Sequence, residues 1–575
     1  MGDNKNIIMA VGLSIAIMLG FQYFYEKPRQ EEIIKKIESE KKSNKKEKVE
    51  EKEVKKQISF EILDRKDAIK KNNRVLINSK RLVGSINLKT GSIDDVSLKD
   101  YKKSVDKSDS EIVTLLNPKY SKDEYSINIC PIEGVKIEEW NVLRQIVDSK
   151  KGTHDIFLQS KTNNDIIINR HIRIDENFLF TTTDTVKNNS SSEFSYTPCA
   201  EIKRVGTPEI GGYYILHEGL IGYLNKSLEE LDYEKIEEKK EVTQNTKGGW
   251  IGITDKYWLV SLIPNQTEEV KTWFRADTSG VKKIYTTGYK HIKKTLSPGE
   301  SAKTVYHSYA GAKELKLLDE YESILGFEHF DLAIDFGWFY FITKPFFFVL
   351  TWINSLLGNF GLAIIGLTLL TKLLLFPLAN KSYRSMSRMK SFQPKIEDLK
   401  KRFGDDKVKL NQEMMSLYKK EKINPASGCL PMLIQAPVFF ALYKVLFVSI
   451  EMRHSPFYGW IHDLSAPDPT TIFNLFGLIP WDPPSMLQIG LLPLIMGITM
   501  WAQQKLNPQP ADPTQATMML IMPVMFTYLF ASFPAGLVVY WTANNILSMG
   551  QQYAIMKIEE SRPEVIPAAN SKKKR

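Results

Sequence analysis

The chain has 575 residues, a formal net charge of +10 and three cysteines. This length leaves room for more than one structural unit, and the mildly negative mean hydropathy would suit an ordinary soluble protein. No cysteine spacing is typical of a zinc or redox motif, which excludes those classes of site. The average hydropathy misleads, however, because nearly all long apolar runs follow residue 335 whereas residues 26–330 are polar.

An uncharged apolar run covers residues 7–25. A cleavable secretory signal is the alternative, but the run is long for such a signal and no small-residue cleavage site closes it, so we predict a transmembrane signal anchor. Residues 26–57 contain twelve Lys or Arg, nine Glu and no aromatic residue, a composition that cannot build a core. We predict a charged linker there, either disordered or a solvated helix.

Short runs of β-type residues separated by turn residues occupy 58–326, among them RVLINS, DIIINRHIRI, WIGIT, YWLVSLIP and KTVYHSYAG. Their regular spacing predicts an all-β sandwich or barrel. Cys130 and Cys199 lie in this region, and a disulfide and two unpaired thiols are both open interpretations. His217 next to Glu218 suggests acid–base chemistry, but a chance pair among eight scattered histidines is the better explanation.

The run at 360–379 has twenty residues, enough at 1.5 Å per residue to cross a bilayer core of about 30 Å. Its one charge, Lys372, costs roughly 2.5–3.5 kcal/mol unless it reaches the interface or polar neighbours. Snorkelling to the cytoplasmic side bends the side chain backwards, because Cα–Cβ bonds lean toward a helix N-terminus. Snorkelling and a functional charge that shares a face with Thr368 both remain open.

The segment 338–357 carries eight aromatic residues and resembles a further span. If it crossed, the segment 380–424, with thirteen Lys or Arg and six Asp or Glu, would lie on the same side as the β region. The positive-inside rule places 380–424 in the cytoplasm, so we predict an interfacial amphipathic helix at 338–357. Apolar residues at steps of three and four on both sides of Gly404 to Asp406 predict a cytoplasmic helical hairpin over 380–424.

Further apolar runs predict transmembrane helices at 430–450, 487–503, 516–533 and 535–552. The intervening loop 451–486 has one Arg and four acidic residues, whereas the tail 557–575 has six basic and three acidic residues. These charges predict an outer loop and a basic cytoplasmic tail. With the anchor, the prediction is six spans, both termini in the cytoplasm and the β region outside.

Polar residues recur within the predicted spans. No intramembrane Asp or Glu neutralises Lys372, so a dry helix bundle would leave its ammonium uncompensated. We therefore predict a hydrated recess with Lys372 in its wall and Gln435 at its cytoplasmic side, although interhelical hydrogen bonds are the commoner use of Asn and Gln. A lone positive charge and Met-rich spans favour transient binding of varied apolar and acidic segments. The absence of intramembrane carboxylates and of an obvious internal repeat disfavours a transporter.

Several long stretches carry a family pattern, namely GSINLKTGSIDDVSLKDY, TDKYWL, NKSYRSMSRMKSFQPKIEDLKKRFGDDKVKLNQEMMSLYKKEKINPASGCLPMLIQAPVFFALY, WIHDLSAPDP and FPAGLVVYW. Across essentially the whole chain they resemble the bacterial YidC insertases of the YidC/Oxa/Alb family. The resemblance implies a periplasmic β-sandwich similar to galactose-mutarotase folds and a five-helix core with a groove open to cytoplasm and lipid. It also implies an inner-membrane insertase and chaperone that is not an enzyme and needs no cofactor or metal. Its implied partners are nascent membrane proteins, the ribosome and the Sec translocon.

The resemblance also implies site residues. Matching positions place Thr368, Lys372, Gln435, Tyr540 and Trp541 in the substrate groove, and the polarity of the last span adds Asn544 to the prediction. The family usually has arginine where Lys372 stands, so the charge is kept while the bidentate fork is lost. Contacts to ribosomal RNA or anionic lipids are predicted at Arg384, Arg388, Lys400, Lys401, Arg402, Lys572, Lys573, Lys574 and Arg575. The alternatives are an ion-coupled transporter and a membrane-anchored carbohydrate-active protein.

Overall fold

The computed structural model describes residues 63–104, 110–208, 216–337, 339–403, 406–420, 430–479, 481, 483–484, 488–507 and 513–561. The predicted anchor at 7–25, the linker at 26–57 and the basic residues 572–575 lie outside this part of the chain. The described chain is β-rich as far as Ala312 and helical beyond it, apart from short helices α1 (Arg65–Lys70) and α2 (Tyr233–Lys239).

Two antiparallel sheets of nine strands each build the β domain. The first contains β1 (Arg74–Asn78), β2 (Leu82–Asn87), β3 (Ile93–Lys102), β4 (Ile112–Leu116), β5 (Tyr125–Cys130), β11 (Cys199–Val205), β14 (Glu241–Lys247), β17 (Glu269–Asp277) and β18 (Ile284–Lys290). The second contains β6 (Asn141–Asp148), β7 (Thr153–Lys161), β8 (Ile166–Ile174), β9 (Leu179–Asn188), β12 (Gly219–Leu224), β13 (Ser227–Asp232), β15 (Trp250–Thr254), β16 (Trp258–Ile263) and β20 (Ser301–Ala312). A separate pair is formed by β10 (Phe194–Tyr196) and β19 (Lys294–Leu296).

The first sheet has the strand order β1-β2-β3-β5-β11-β18-β17-β14, with β4 paired to β3, and the second has β13-β12-β15-β16-β20-β9-β8-β7-β6. Residues in β8 alternate between buried and half-buried, as expected of a strand with one face on a core. That alternation places Arg170 among buried isoleucines, where it needs a partner. The sheets share one apolar core, which confirms the predicted all-β sandwich.

Arg170 and Asp184 form an ion pair inside the sandwich. The guanidinium donates through Nε and Nη2 to both Asp184 carboxylate oxygens, each at 2.8 Å. It also donates to the carbonyl oxygens of Gly91 at 3.0 Å and Ile129 at 2.9 Å, which belong to the opposite side of the core. Both side chains are at most 1% exposed, so the pair links the two sheets and all of its charge is satisfied internally.

Cys130 and Cys199 are directly opposite one another in the β5–β11 pairing and form a disulfide. The bond joins positions 69 residues apart, so it constrains a long loop of the unfolded chain. We expect Cys199→Ser to lower the free energy of unfolding of the β domain by about 3 kcal/mol. Urea unfolding of the full chain checks this, with reduced wild-type protein as the matched control. Equal urea midpoints for the variant and the oxidised wild type would contradict the expectation.

The helical region begins with α3 (Leu315–Leu325) and a 3₁₀ turn (Phe330–Ala333). It continues with α4 (Tyr340–Leu357), α5 (Phe360–Leu374), α6 (Phe376–Ser391), α7 (Gln393–Phe403), α8 (Lys407–Lys420), α9 (Leu430–Val448), α10 (Leu491–Leu506), α11 (Pro513–Phe530) and α12 (Ala535–Glu560). Helix α5 packs against α4 and α12, and α10 packs between α11 and α12.

The predicted helix at 360–379 is wrong in its end point. Helix α5 stops at Leu374, and α6 leaves it at an angle of 71°. Pro377, in the first turn of α6, has no backbone N–H with which to continue the α5 hydrogen-bond ladder, and its ring disfavours a helical residue before it. The basic segment is also more divided than predicted: α7 ends at Phe403 and α8 begins at Lys407, but a further break at Phe392 precedes Pro394.

Several further predicted boundaries are wrong: α9 ends at Val448 rather than residue 450, α10 ends at Leu506 rather than 503, and α11 covers Pro513–Phe530 rather than 516–533. Helix α10 begins at Leu491 rather than residue 487, because the loop caps its first turn: Leu491 N–H donates to Thr470 Oγ1 at 2.9 Å and Leu492 N–H to Asp468 Oδ2 at 2.8 Å. Helix α12 continues beyond residue 552 to Glu560. In that extension Ile555 is buried against α6, which stabilises the additional turns.

Length and composition indicate which of the described helices can cross a membrane. By these two criteria only α4 of the described helices is long and apolar enough to cross by itself. The bent pair α5 and α6 also qualifies if counted as one span, and shorter apolar helices cover Gln435–Val448 and Ala516–Phe530. The predicted count of six spans therefore stays a prediction, as does the interfacial placement of α4.

Polar contacts join the β domain to the helices. Lys444 on α9 pairs with Asp335 at 3.0 Å, and Arg453 donates to the carbonyl oxygen of Lys102 at 2.8 Å. Lys344 on α4 pairs with Asp331 at 2.6 Å. Arg453 thereby contacts the β domain, and the two lysine pairs fix α4 and α9 to the segment that connects α3 with α4.

Candidate substrate groove

Lys372 on α5 directs its ammonium toward α9 and α12. Its Nζ donates to Ser548 Oγ at 2.7 Å and to Gln435 Oε1 at 3.3 Å. Gln435 in turn donates through Nε2 to the Tyr540 hydroxyl at 2.9 Å and to Asn544 Oδ1 at 2.8 Å. These five residues, here termed the polar cluster, connect three helices through one lysine and one amide.

The charge of Lys372 is solvated by neutral groups. Within the described part of the chain, the hydrogen bonds of its ammonium go to a hydroxyl and an amide oxygen, and no carboxylate forms an ion pair with it. Neutral dipoles reduce the cost of a buried charge but leave its net charge in place. Because both hydrogen bonds point into the bundle, the geometry favours polar neighbours over snorkelling as the way in which Lys372 is accommodated.

Two of the predicted groove residues lie outside the polar cluster. Thr368 is 1% exposed, and its hydroxyl donates to the carbonyl oxygen of Ile364 within the same helix at 2.7 Å. Trp541 packs instead among Phe439, Phe530 and Phe526, with ring centroids 4.9, 5.1 and 5.9 Å away. These four rings are here termed the aromatic cluster, and they lie between α9, α11 and α12.

Ser548 was missed by the sequence reasoning, although a signal was present. It follows Asn544 by four residues, so both project from the same face of α12. Phe439, Phe526 and Phe530 were missed because only their spatial convergence on Trp541 distinguishes them from other apolar residues. Conversely, His217 is a structural residue: its ring nitrogens bond Asp232 and the carbonyl oxygen of Leu220, each at 3.0 Å.

The predicted basic contacts are divided among several elements. Arg384 and Arg388 are exposed on α6, whereas Lys400, Lys401 and Arg402 form the last turn of α7. Helices α7 and α8 pack against each other, and the cytoplasmic hairpin stays a prediction. The structure thus gives two separate basic surfaces, one beside α12 and one on the hairpin.

Known proteins match this chain over nearly its whole length. The family model described as the YidC periplasmic domain matches residues 74–349, and that described as the 60Kd inner membrane protein matches residues 352–562. A membrane protein insertase YidC of Nitrobacter hamburgensis is 45% identical over 98% of this chain and 97% of its own. The chain belongs to the YidC family. The YidC insertase of Pelagibacter ubique is 44% identical over 96% of this chain and 99% of its own.

Family membership confirms the predicted identity and fold class: YidC proteins combine the periplasmic domain with the helical region. The curated relatives are membrane protein insertases, so the chain is an insertase of the membrane rather than an enzyme. A solved structure described as an active YidC insertase covers 84% of this chain at 18% identity and a TM-score of 0.36. A galactose mutarotase related enzyme from Lactobacillus acidophilus covers 41% at a TM-score of 0.27. At such scores the structural likeness supports no inference.

Proposed function

We propose that the polar cluster holds the polar outer segment of an inserting membrane protein while its apolar helix moves into lipid. The single observation that carries this is Lys372, whose charge meets only neutral partners among the described residues. An acidic or polar segment of a nascent chain supplies the missing negative or dipolar group. Its backbone then remains solvated partway across the membrane, which lowers the cost of translocating unpaired N–H and C=O groups.

The aromatic cluster gives the apolar part of the substrate an adjoining surface. Tyr540 of the polar cluster precedes Trp541 of the aromatic cluster on α12, and Phe439 contacts both rings. Helix α11 exposes large flexible side chains next to this surface, including Met518 and Met525, which are 64% and 54% exposed. Methionine adapts to differently shaped partners, whereas buried Met496 and Met500 fill the core. A substrate helix therefore leaves the polar cluster between α9 and α11.

Gln435→Leu tests the cluster without removing the charge. The substitution deletes the amide that links Lys372 to Tyr540 and Asn544, so we expect insertion to fall severalfold. Gln552→Leu is the matched control, because Gln552 also makes an interhelical amide contact, to Asn507 at 3.0 Å, but lies outside the cluster. Protease protection of a model substrate in proteoliposomes measures both variants. Equal losses in the two would exclude a special role for the cluster.

For α4 we propose an interfacial position on the periplasmic side. Its faces differ: Thr343, Phe347 and Leu350 are buried against the protein, and Phe341 and Trp352 lie on an exposed aromatic stripe. Polar residues lie near both ends of a third side of the helix, namely Tyr340 and Lys344, which bond Asp331, and Thr351 and Ser355, with Phe348 between the two pairs. A spanning helix would place that side in hydrocarbon, whereas an interfacial helix places it in water and the aromatic stripe in lipid.

Labelling of an introduced cysteine distinguishes the two placements. In a Cys429→Ser background, Ser355→Cys should react from the periplasmic side with a membrane-impermeant maleimide. Ser195→Cys in the β domain and Ser391→Cys on α6 are the outer and cytoplasmic controls, since both positions are exposed. Reaction of Ser355→Cys only after permeabilisation, in parallel with Ser391→Cys, would show that α4 crosses.

We further propose a multi-pass protein of the bacterial inner membrane with both termini in the cytoplasm. The Cys130–Cys199 disulfide supports an oxidising compartment for the β domain. The cationic hairpin α7–α8 suits ribosomal RNA, and the charge of the described basic residues also suits anionic lipid. Cooperation with the Sec translocon is part of the same proposal and rests on the family resemblance alone.

A further inference from the structure

A cavity of about 280 Å³ lies between α5, α6 and α12. The described residues that line it come from these three helices, so it is separate from the aromatic cluster between α9, α11 and α12. Lys372 forms part of its wall, at the boundary with the polar cluster. The cavity opens sideways, because lining residues such as Leu373 and Ile558 are 60% and 53% exposed.

The lining is amphipathic along its length. From Leu547 to Ile558 the cavity follows α12 for twelve residues, a rise of about 16 Å. Leu369 and Leu373 on α5 and Phe376 at the start of α6 give the wall apolar surface beside Lys372, whereas Asn380 and Arg384 lie further along α6. Such a cleft offers apolar surface together with cationic, hydrogen-bonding groups.

Gln551 is a second and independent indication of a ligand. It lines the cavity, and its buried Nε2 has no hydrogen-bond acceptor among the described residues. Leaving a buried donor without an acceptor is unfavourable. None of the described lining residues is acidic, so an anionic ligand would meet no like charge in the part of the wall that the structure describes.

We propose that this cavity binds one phospholipid with a net negative headgroup. The acyl chain lies between α5 and α12, the phosphate faces Asn380 and Arg384, and a glycerol ester oxygen accepts from Gln551 Nε2. The proposal commits to a lipid because the site combines apolar surface on α5 and α12 with two basic residues, Lys372 and Arg384, and opens sideways toward the bilayer. The proposal requires that the chain is embedded in a membrane, which its family membership shows. It does not require that the polar cluster is the insertion site.

Native mass spectrometry of the full chain, titrated with phosphatidylglycerol and phosphatidylcholine, tests the proposal. One basic residue at the membrane surface contributes about 1 kcal/mol, so we expect phosphatidylglycerol to bind about fivefold more tightly. Arg384→Gln should abolish this preference, whereas Arg388→Gln should retain it, because Arg388 is exposed on the same helix but does not line the cavity. Equal loss in both variants would overturn the proposal in favour of diffuse attraction.

A second variant tests the cavity itself. Ala554 lines it and is exposed, so Ala554→Phe fills the space without entering the core, and both lipids should bind at least tenfold more weakly. Unchanged lipid binding would overturn the proposal. Displacement of the lipid by millimolar inorganic phosphate, or capture of nascent chain in place of lipid by a photo-crosslinker at position 554, would also overturn it.

Discussion

Lys372→Glu is expected to reduce insertion of a substrate with an acidic outer segment at least tenfold. Opposite unit charges 4 Å apart attract by about 4 kcal/mol at an effective dielectric constant of 20. Even a third of this attraction corresponds to a factor of about ten. Reversal of the charge replaces attraction by repulsion, so the acidic segment no longer enters the polar cluster. Insertion into proteoliposomes, measured by protease protection, checks the result.

Two controls distinguish a loss of charge attraction from a failure of the variant to fold. Lys372→Arg keeps the positive charge and should insert the same substrate normally, while a substrate with a neutral outer segment should be affected much less by Lys372→Glu. The variant is expected to fold, because the Gln435 amide can rotate and present its N–H₂ to the new carboxylate, and Ser548 can donate to it. If both substrates insert equally well with Lys372→Glu, the charge has no part in the mechanism.

Arg170→Ala is expected to produce the largest loss of stability in the β domain, about 3–5 kcal/mol. The substitution leaves the Asp184 carboxylate 0% exposed and without its guanidinium partner. It also removes the donors to Gly91 and Ile129 that connect the two sheets. Urea unfolding of the full chain, followed by tryptophan fluorescence, measures the change.

A double variant tests whether the unpaired Asp184 carboxylate causes this loss of stability. Arg170→Met combined with Asp184→Leu removes both charges and keeps apolar volume, so it should cost much less than the two single substitutions added together. A loss below about 1 kcal/mol for Arg170→Ala would mean that Asp184 finds water or another donor, and the account of the pair would then be wrong.

The β domain was predictable because its strands carry strong local signals. The stretch DIIINRHIRI falls on β8, where period-two burial follows directly from the alternation of side chains, and WIGIT falls on β15, which is buried at every residue. The pairing of Cys130 with Cys199 was not predictable, since it depends on β5 and β11 being neighbours although 69 residues separate the two cysteines. Strand order of this kind depends on long-range packing, which local patterns do not encode.

In the helical region the sequence predicted where the helices lie but not where they end. Apolar runs located the helices, but their ends depended on Pro377, on loop side chains such as Asp468 and on tertiary burial of Ile555. In the groove, Lys372, Gln435, Tyr540 and Asn544 come together as one hydrogen-bonded group, while Thr368 and Trp541 do not join it. Residue type selected the polar candidates, but helix rotation decides which of them meet.

The most direct test places a photo-crosslinker in the outer polar segment of a stalled nascent chain and maps the crosslinked residues of the full-length insertase. The account predicts crosslinks to α9 near Gln435 and to α12 between Tyr540 and Ser548, lost in Lys372→Glu and retained in Lys372→Arg. Crosslinks confined to the α5–α6–α12 cavity or to lipid, unchanged by Lys372→Glu, would contradict it.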